Sequence, residues 1–169
     1  MIDNVLIIIK SEYRRRMIEE SLFRVEKCLA MLSEEEIWES VNNNSNSIGV
    51  LLLHLEGNIR QYVLSGIGTE KDTRERDKEF APNKKPQKTF LYNTLKETVL
   101  FSERIIQKLE FNELDEEKKV QGFDETVLSI IVHVIEHCSY HVGQITYMTK
   151  MIRNAQTGYY DGKDLNVTS

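Results

Sequence analysis

The chain has 169 residues, 40% of them hydrophobic and 29% charged, with a net charge of −5. That length fits one soluble domain around one core, and the acidic balance excludes a general nucleic-acid binder, which needs a dense basic face. The five apolar residues Val5 to Ile9 follow an aspartate and are too short for a signal peptide or a membrane span, so no membrane partner is expected.

With only eight glycines and two prolines, and no strict period-2 runs, the composition points to an all-α fold. The first predicted helix covers about Asp3 to Met31, along a stripe through Leu6, Tyr13, Met17, Leu22, Val25 and Cys28. The basic run Arg14-Arg15-Arg16 is flanked by acids and reads as a solvated helix face. Ser33 and Glu36 form a capping-box signature for a short helix through Trp38. The polar break NNNSNS then ends in Ser47, a good N-cap.

The second helix, about Ile48 to Leu64, alternates Ile48, Leu52, Leu55, Ile59 and Tyr62, with His54 beside that stripe. Ser65 to Lys88 holds both prolines and the charge run EKDTRERDKEF, and reads as a long surface loop. A third helix is expected over about Thr89 to Leu109, followed by an acidic connector from Glu110 to Lys119. The fourth spans about Asp124 to Arg153, on a 4-3 stripe through Val127, Ile131, Val134, Cys138, His141, Ile145, Met148 and Ile152. The sum is a four-helix bundle over residues 1–155, with 156–169 as an irregular tail in which Tyr159 and Tyr160 read as packing anchors. Cys28 and Cys138, isolated within helical patterns, fit a reducing compartment, and the cytoplasm is the expected location. Cys138 lies on the apolar seam and reads as a small buried hydrophobe.

Three of the four histidines fall in HVIEHCSYHVGQ, at positions 133, 137 and 141. Eight helical residues rise about 12 Å, whereas metal–nitrogen bonds are about 2.1 Å, so the three cannot share one ion. Two pairs remain. His133 and His137 frame HVIEH, an H-x-x-E-H arrangement with Glu136 as would-be general base, although no helical pattern with an acidic ligand follows. His137 and His141 also sit at i and i+4, with His141 in a core position. Either pair needs a further ligand, and His54 is the remaining histidine.

The unit HxxxHxGQI, from His137 through His141, Gly143 and Gln144 to Ile145, resembles the last helix of the DinB-like superfamily. The segment SIGVLLLHLEGNIRQYVL around His54 resembles its second helix, and the "GN" and "YHVGQI" elements are most similar to a Bacillus-type branch of unassigned activity. The resemblance implies a four-helix bundle holding a divalent metal, commonly zinc or nickel, on His54, His137 and His141, with His133 outside the ligand set. It implies a homodimer, although no clean second apolar stripe stands out in the sequence. It also implies a metal-dependent enzyme that activates a low-molecular-weight thiol such as bacillithiol, in the manner of an S-transferase, or that activates water. A non-catalytic metal-binding protein of the damage or stress response is the alternative. A thiol coordinated to a cation releases its proton readily to solvent, which fits a chain with no Ser-His-Asp or Cys-His signature. Asn58, one turn beyond His54, is expected to hydrogen-bond a metal-bound imidazole. Glu136 and Tyr140 flank the ligands and are candidates to touch substrate or support the ligands, with solvated or packing roles as the plainer reading; Gln144 either donates to substrate or ties down a neighbouring helix, and Gly143 is expected to permit close helix packing.

Overall fold

The computed structural model describes residues 2–168. Four long helices carry the fold, each placed by an apolar stripe it cannot leave in water. Helix α1 runs over Ile2–Arg14, widens into π-helical turns over Arg15–Leu22 and returns to α-helix over Phe23–Met31. Helix α2 covers Ile48–Ile59 and continues as π-helical turns through Arg60–Ser65. A short helix α3, Arg76–Phe80, interrupts the long segment that follows. Helix α4 spans Lys88–Lys108 and α5 spans Val127–Arg153. Both α1 and α2 pack against α4 and α5, so the four close into a bundle in which α2 and α5 are neighbours.

The core is continuous. Leu52, Leu55 and Ile59 of α2, Leu95 and Val99 of α4, and Val134, Cys138 and Ile145 of α5 all join it, each at most 3% exposed. Full burial of one such large aliphatic side chain contributes roughly 1.5–3 kcal/mol, so the stripes, rather than helix propensity, decide which faces turn inward. Tyr13 adds a buried polar tie from α1 to α4, its hydroxyl 2.7 Å from Ser102 Oγ. Both cysteines are free and buried, and burial pushes the Cys138 thiol up to about 11, which removes it as a nucleophile near neutral pH.

Three elements depart from the sequence expectation. The segment expected as a loop contains α3, which packs onto α2. The acidic connector folds into a hairpin, β1 Glu117–Val120 pairing antiparallel with β2 Phe123–Thr126. Its two-residue turn is Gln121-Gly122, both at positive φ (54° and 86°), the geometry of a primed hairpin turn. The strands are mostly polar and exposed, with Val120 alone buried, so hydrophobic alternation could not announce them. The hairpin consumes residues 124–126, and α5 begins at Val127 under a Thr126 cap rather than at Asp124. The tail folds back in irregular turns, and Tyr159 wedges between α1 and α5 with its hydroxyl 3.0 Å from Cys28 Sγ and 2.8 Å from Thr146 Oγ1. Tyr160, in contrast, is exposed and only meets Arg24. Among the described residues no helix is long and apolar enough to cross a membrane.

Helix α2 depends on its cap. Ser47 is 3% exposed and its hydroxyl accepts the Val50 N–H at 3.3 Å. Replacing Ser47 by Ala is expected to lower unfolding free energy by about 1 kcal/mol, measured as a drop in the urea midpoint at unchanged slope.

Candidate metal centre

The packing of α2 on α5 brings three imidazoles together. One ring nitrogen of each of His54, His137 and His141 lies within 4.8 Å of one from each of the others. His54 Nε2 and His137 Nε2 face one another at 3.2 Å. His54 and His141 are buried and His137 half-buried.

The tautomers follow from the outer partners. An ionised carboxylate can only accept, so the 2.9 Å contact of His54 Nδ1 with Glu79 Oε2 is a bond donated by the imidazole. That leaves Nε2 of His54 as a lone pair aimed inward. At the other flank His141 Nδ1 donates to Gln144 Oε1 at 2.7 Å, with the same consequence for its Nε2. His137 Nδ1 is buried with no partner. Burial, reinforced by the surrounding histidines and Arg74, pushes His137 down to about 3. Burial likewise lowers His141, despite the opposing bond to Gln144. The site is therefore a set of imidazole nitrogen donors converging on one point. This is donor chemistry suited to a borderline cation such as zinc or nickel.

Glu79 is the residue that sequence reasoning missed. It comes from α3, inside the charge run expected to be a solvated loop. Partial burial pushes its carboxyl up, but the bonds from Arg74 and His54 outweigh this and hold it below the usual carboxylate range. Arg74 grips it with two bonds, Nε to Oε1 at 2.7 Å and Nη2 to Oε2 at 2.9 Å, and reaches Gln61 Oε1 at 2.9 Å. The Arg74 side chain is only 3% exposed. Phe80 covers the His54 ring at a centroid distance of 5.1 Å. The pair fits because Gly57 has no side chain: a Cβ there would lie 2.2 Å from Glu79 Oε1 and 3.0 Å from Arg74 Nε. Gly57 was the one available signal, a glycine interrupting an otherwise leucine-rich helix.

The remaining expected residues separate clearly. Asn58 is buried but does not serve the cluster; its Nδ2 lies 3.4 Å from His133 Nε2, and its Oδ1 has no partner. The reason is register, since Asn58 sits one turn along α2 and meets α5 one turn before His137. His133 is half-buried, stacked on Tyr62 at 4.2 Å, and stands outside the three-histidine cluster. Glu136 is exposed and lines a hollow of about 480 Å³ against Arg16 and Arg24 of α1, away from the cluster. Tyr140 is 62% exposed, lines the same hollow and sets its ring edge-on to His141. Gln144 takes the tying role, orienting His141 on its own helix rather than a neighbouring one. It also borders a cavity of about 460 Å³ lined by Leu51, Met148 and the 42–46 loop.

The depressed His137 gives a signed pH dependence. The unfolded ring titrates near 6.5 and the folded one near 3, so the folded state binds fewer protons between those values. Its contribution to stability is complete above 6.5 and lost as pH falls through that window. Metal-free protein should lose denaturant resistance there, and His137→Gln should flatten that loss when unfolding is compared above and inside the window.

Comparison with known proteins agrees with this architecture. A crystal structure of a DinB-like protein from Bacillus cereus ATCC 10987 superposes with a TM-score of 0.62 at 16% identity, covering 78% of this chain and 85% of that one. A conserved protein from Enterococcus faecalis superposes with a TM-score of 0.69 at 14% identity, covering 86% and 97%. No curated protein matches the sequence. The family described as "protein of unknown function (DUF1572)" matches residues 10–159. The chain therefore belongs to the DUF1572 family and has the fold of DinB-like proteins.

Proposed function

We propose that His54, His137 and His141 hold one divalent metal ion, zinc or nickel, and that the protein is a metal-dependent enzyme acting on a low-molecular-weight thiol or on water. The carrying observation is the convergence of three ring nitrogens within 4.8 Å, with the Nδ1 atoms of His54 and His141 tied outward. The cluster contains no carboxylate or thiolate, so a cation there keeps its full double-positive charge and, when bound, acidifies a thiol or water that reaches it. The chain's own residues do the positioning. Glu79 holds the proton on His54 Nδ1, Arg74 fixes Glu79, and Gln144 holds the proton on His141 Nδ1. A thiol such as bacillithiol is the proposed small-molecule partner, with S-transfer to an electrophile as the reaction. The cavity bordered by Gln144, the residue bonded to His141, is the proposed seat of that electrophile.

The deep burial of His54 and His141 supports a second reading, in which the ion ties α2 to α5 in a non-catalytic stress or damage protein. The two readings separate by assay. Purified protein should carry about one equivalent of metal by elemental analysis, and His54→Ala or His141→Ala should abolish it, whereas His133→Ala should retain it. Retention by His141→Ala with loss in His133→Ala would reverse the ligand assignment. The loaded protein should conjugate bacillithiol-type thiols to monochlorobimane. Inactivity across several thiols, with metal bound, would favour the second reading.

Glu79→Ala should weaken zinc affinity by roughly 10–100-fold, as loss of an imidazole-orienting carboxylate generally does, read by competition with a chromogenic chelator. Gly57→Ala should act in the same direction by displacing the carboxylate, although it leaves every proposed ligand in place.

A further inference from the structure

The segment that carries Glu79 is fastened to the protein at few points. Glu70 N–H donates to Leu64 O at 3.1 Å where the segment leaves α2, and Trp38 Nε1 donates to Pro86 O at 3.2 Å where it returns toward α4. Residues 71–85 between these anchors form a strap across α2. Of residues 71–81, only Arg74, Glu79 and Phe80 are not exposed, and all three converge on His54. Glu79 Oε2 accepts from His54 Nδ1, Arg74 Nη2 lies 3.2 Å from the same nitrogen, and Phe80 covers the ring. Among the described residues, the strap's other side-chain hydrogen bonds to the rest of the chain involve only Gln61, which donates to Asp72 and accepts from Arg74. Elsewhere the strap stands off α2 over a cavity of about 390 Å³ bordered by Leu53 and Gly57.

A segment with so few buried contacts opens locally without unfolding the bundle. What holds this one down is chiefly one imidazole, which is also a proposed metal ligand through its other nitrogen. When Nε2 of His54 binds a cation, the ring loses electron density and Nδ1–H becomes a stronger donor to the ionised Glu79. Closure of the strap in turn holds the ring with Nε2 facing His137.

We infer that residues 71–85 are a metal-linked latch: the strap closes on His54 more firmly when the three-histidine site is occupied, and an open strap weakens that site. The inference rests on the metal reading above and adds a moving part to it. Linkage makes the two effects equal, because the factor by which closure tightens zinc binding is the factor by which zinc favours closure. Loss of an orienting carboxylate lowers metal affinity by roughly 10–100-fold, so zinc should shift the strap toward its closed state by the same factor. The Arg74–Glu79 pair, seated on the bare backbone of Gly57, makes that closed state one defined arrangement.

The test is limited trypsin digestion of the full chain with and without zinc, read by mass spectrometry. Lys71, Arg76, Lys78, Lys84 and Lys85 are exposed cleavage points within the strap. When reclosing outpaces cleavage, the rate reports the population of the open form. Zinc should slow cleavage within 71–85 by roughly 10–100-fold. Gln61→Ala, which leaves the His54–Glu79 bond in place, should digest faster yet keep the zinc effect. In Glu79→Ala, cleavage should be fast, and saturating zinc should change it by no more than about twofold. Retained helical circular dichroism shows that each variant is folded. Unchanged cleavage of the wild type, with zinc bound by chelator competition, would overturn the latch alone. So would a slowing in Glu79→Ala as large as in the wild type, because it would report stabilisation of the whole bundle. Failure of zinc to bind at all would overturn the metal reading, and the latch with it.

Discussion

The burial of three imidazoles between α2 and α5 is the constraint on which the site depends. Each ring brings two nitrogens, and a buried polar atom without a partner costs roughly 1–3 kcal/mol. The protein meets that demand from outside the cluster, with Glu79 on His54 and Gln144 on His141. Satisfying the outer nitrogens fixes the tautomers of His54 and His141, whose Nε2 atoms become lone pairs turned into the cluster. His137 Nδ1 remains without a partner, while its Nε2 faces that of His54 at 3.2 Å. Such a core is a liability unless a cation completes it, which is the physical basis for treating it as a binding site rather than as packing.

The second dependency is electrostatic. Glu79 is a carboxylate in a mostly buried setting, and an unpaired charge there would be expelled or neutralised. Arg74 prevents this through a two-pronged contact, and Gln61 anchors the guanidinium in turn. The segment between α2 and α4 is thereby fastened over His54, with Phe80 on the ring and the pair seated on the bare backbone of Gly57. The segment's charge is spent inward. Its composition suggests solvent, whereas its geometry serves the histidine.

Helix α5 joins these functions because its two sides do different work. One side supplies the core stripe and two of the clustered histidines. The other presents exposed aromatics around Gly143, where a Cβ would meet nothing within 4 Å, so the expected close packing is absent within the chain. The two sides meet at Tyr140, whose exposed ring stands edge-on to His141.

The sequence by itself determined the four long helices, because 4-3 apolar spacing has one stable outcome when the stripe must be buried. It also determined that His137 and His141 share a face one turn apart, and that the row of three at 133, 137 and 141 cannot close on one point, since helical rise is fixed. Only the tertiary structure decided the rest. Which turn of α2 faces which turn of α5 depends on packing register, and that register gave His133 to Asn58 and Tyr62 and brought His54 to His137. The hairpin over 117–126 was illegible because its strands bury almost nothing. Glu79 was illegible for a related reason. It stands among many exposed charges, and nothing local distinguishes a carboxylate that points to water from one that an arginine and a glycine have drawn into the core.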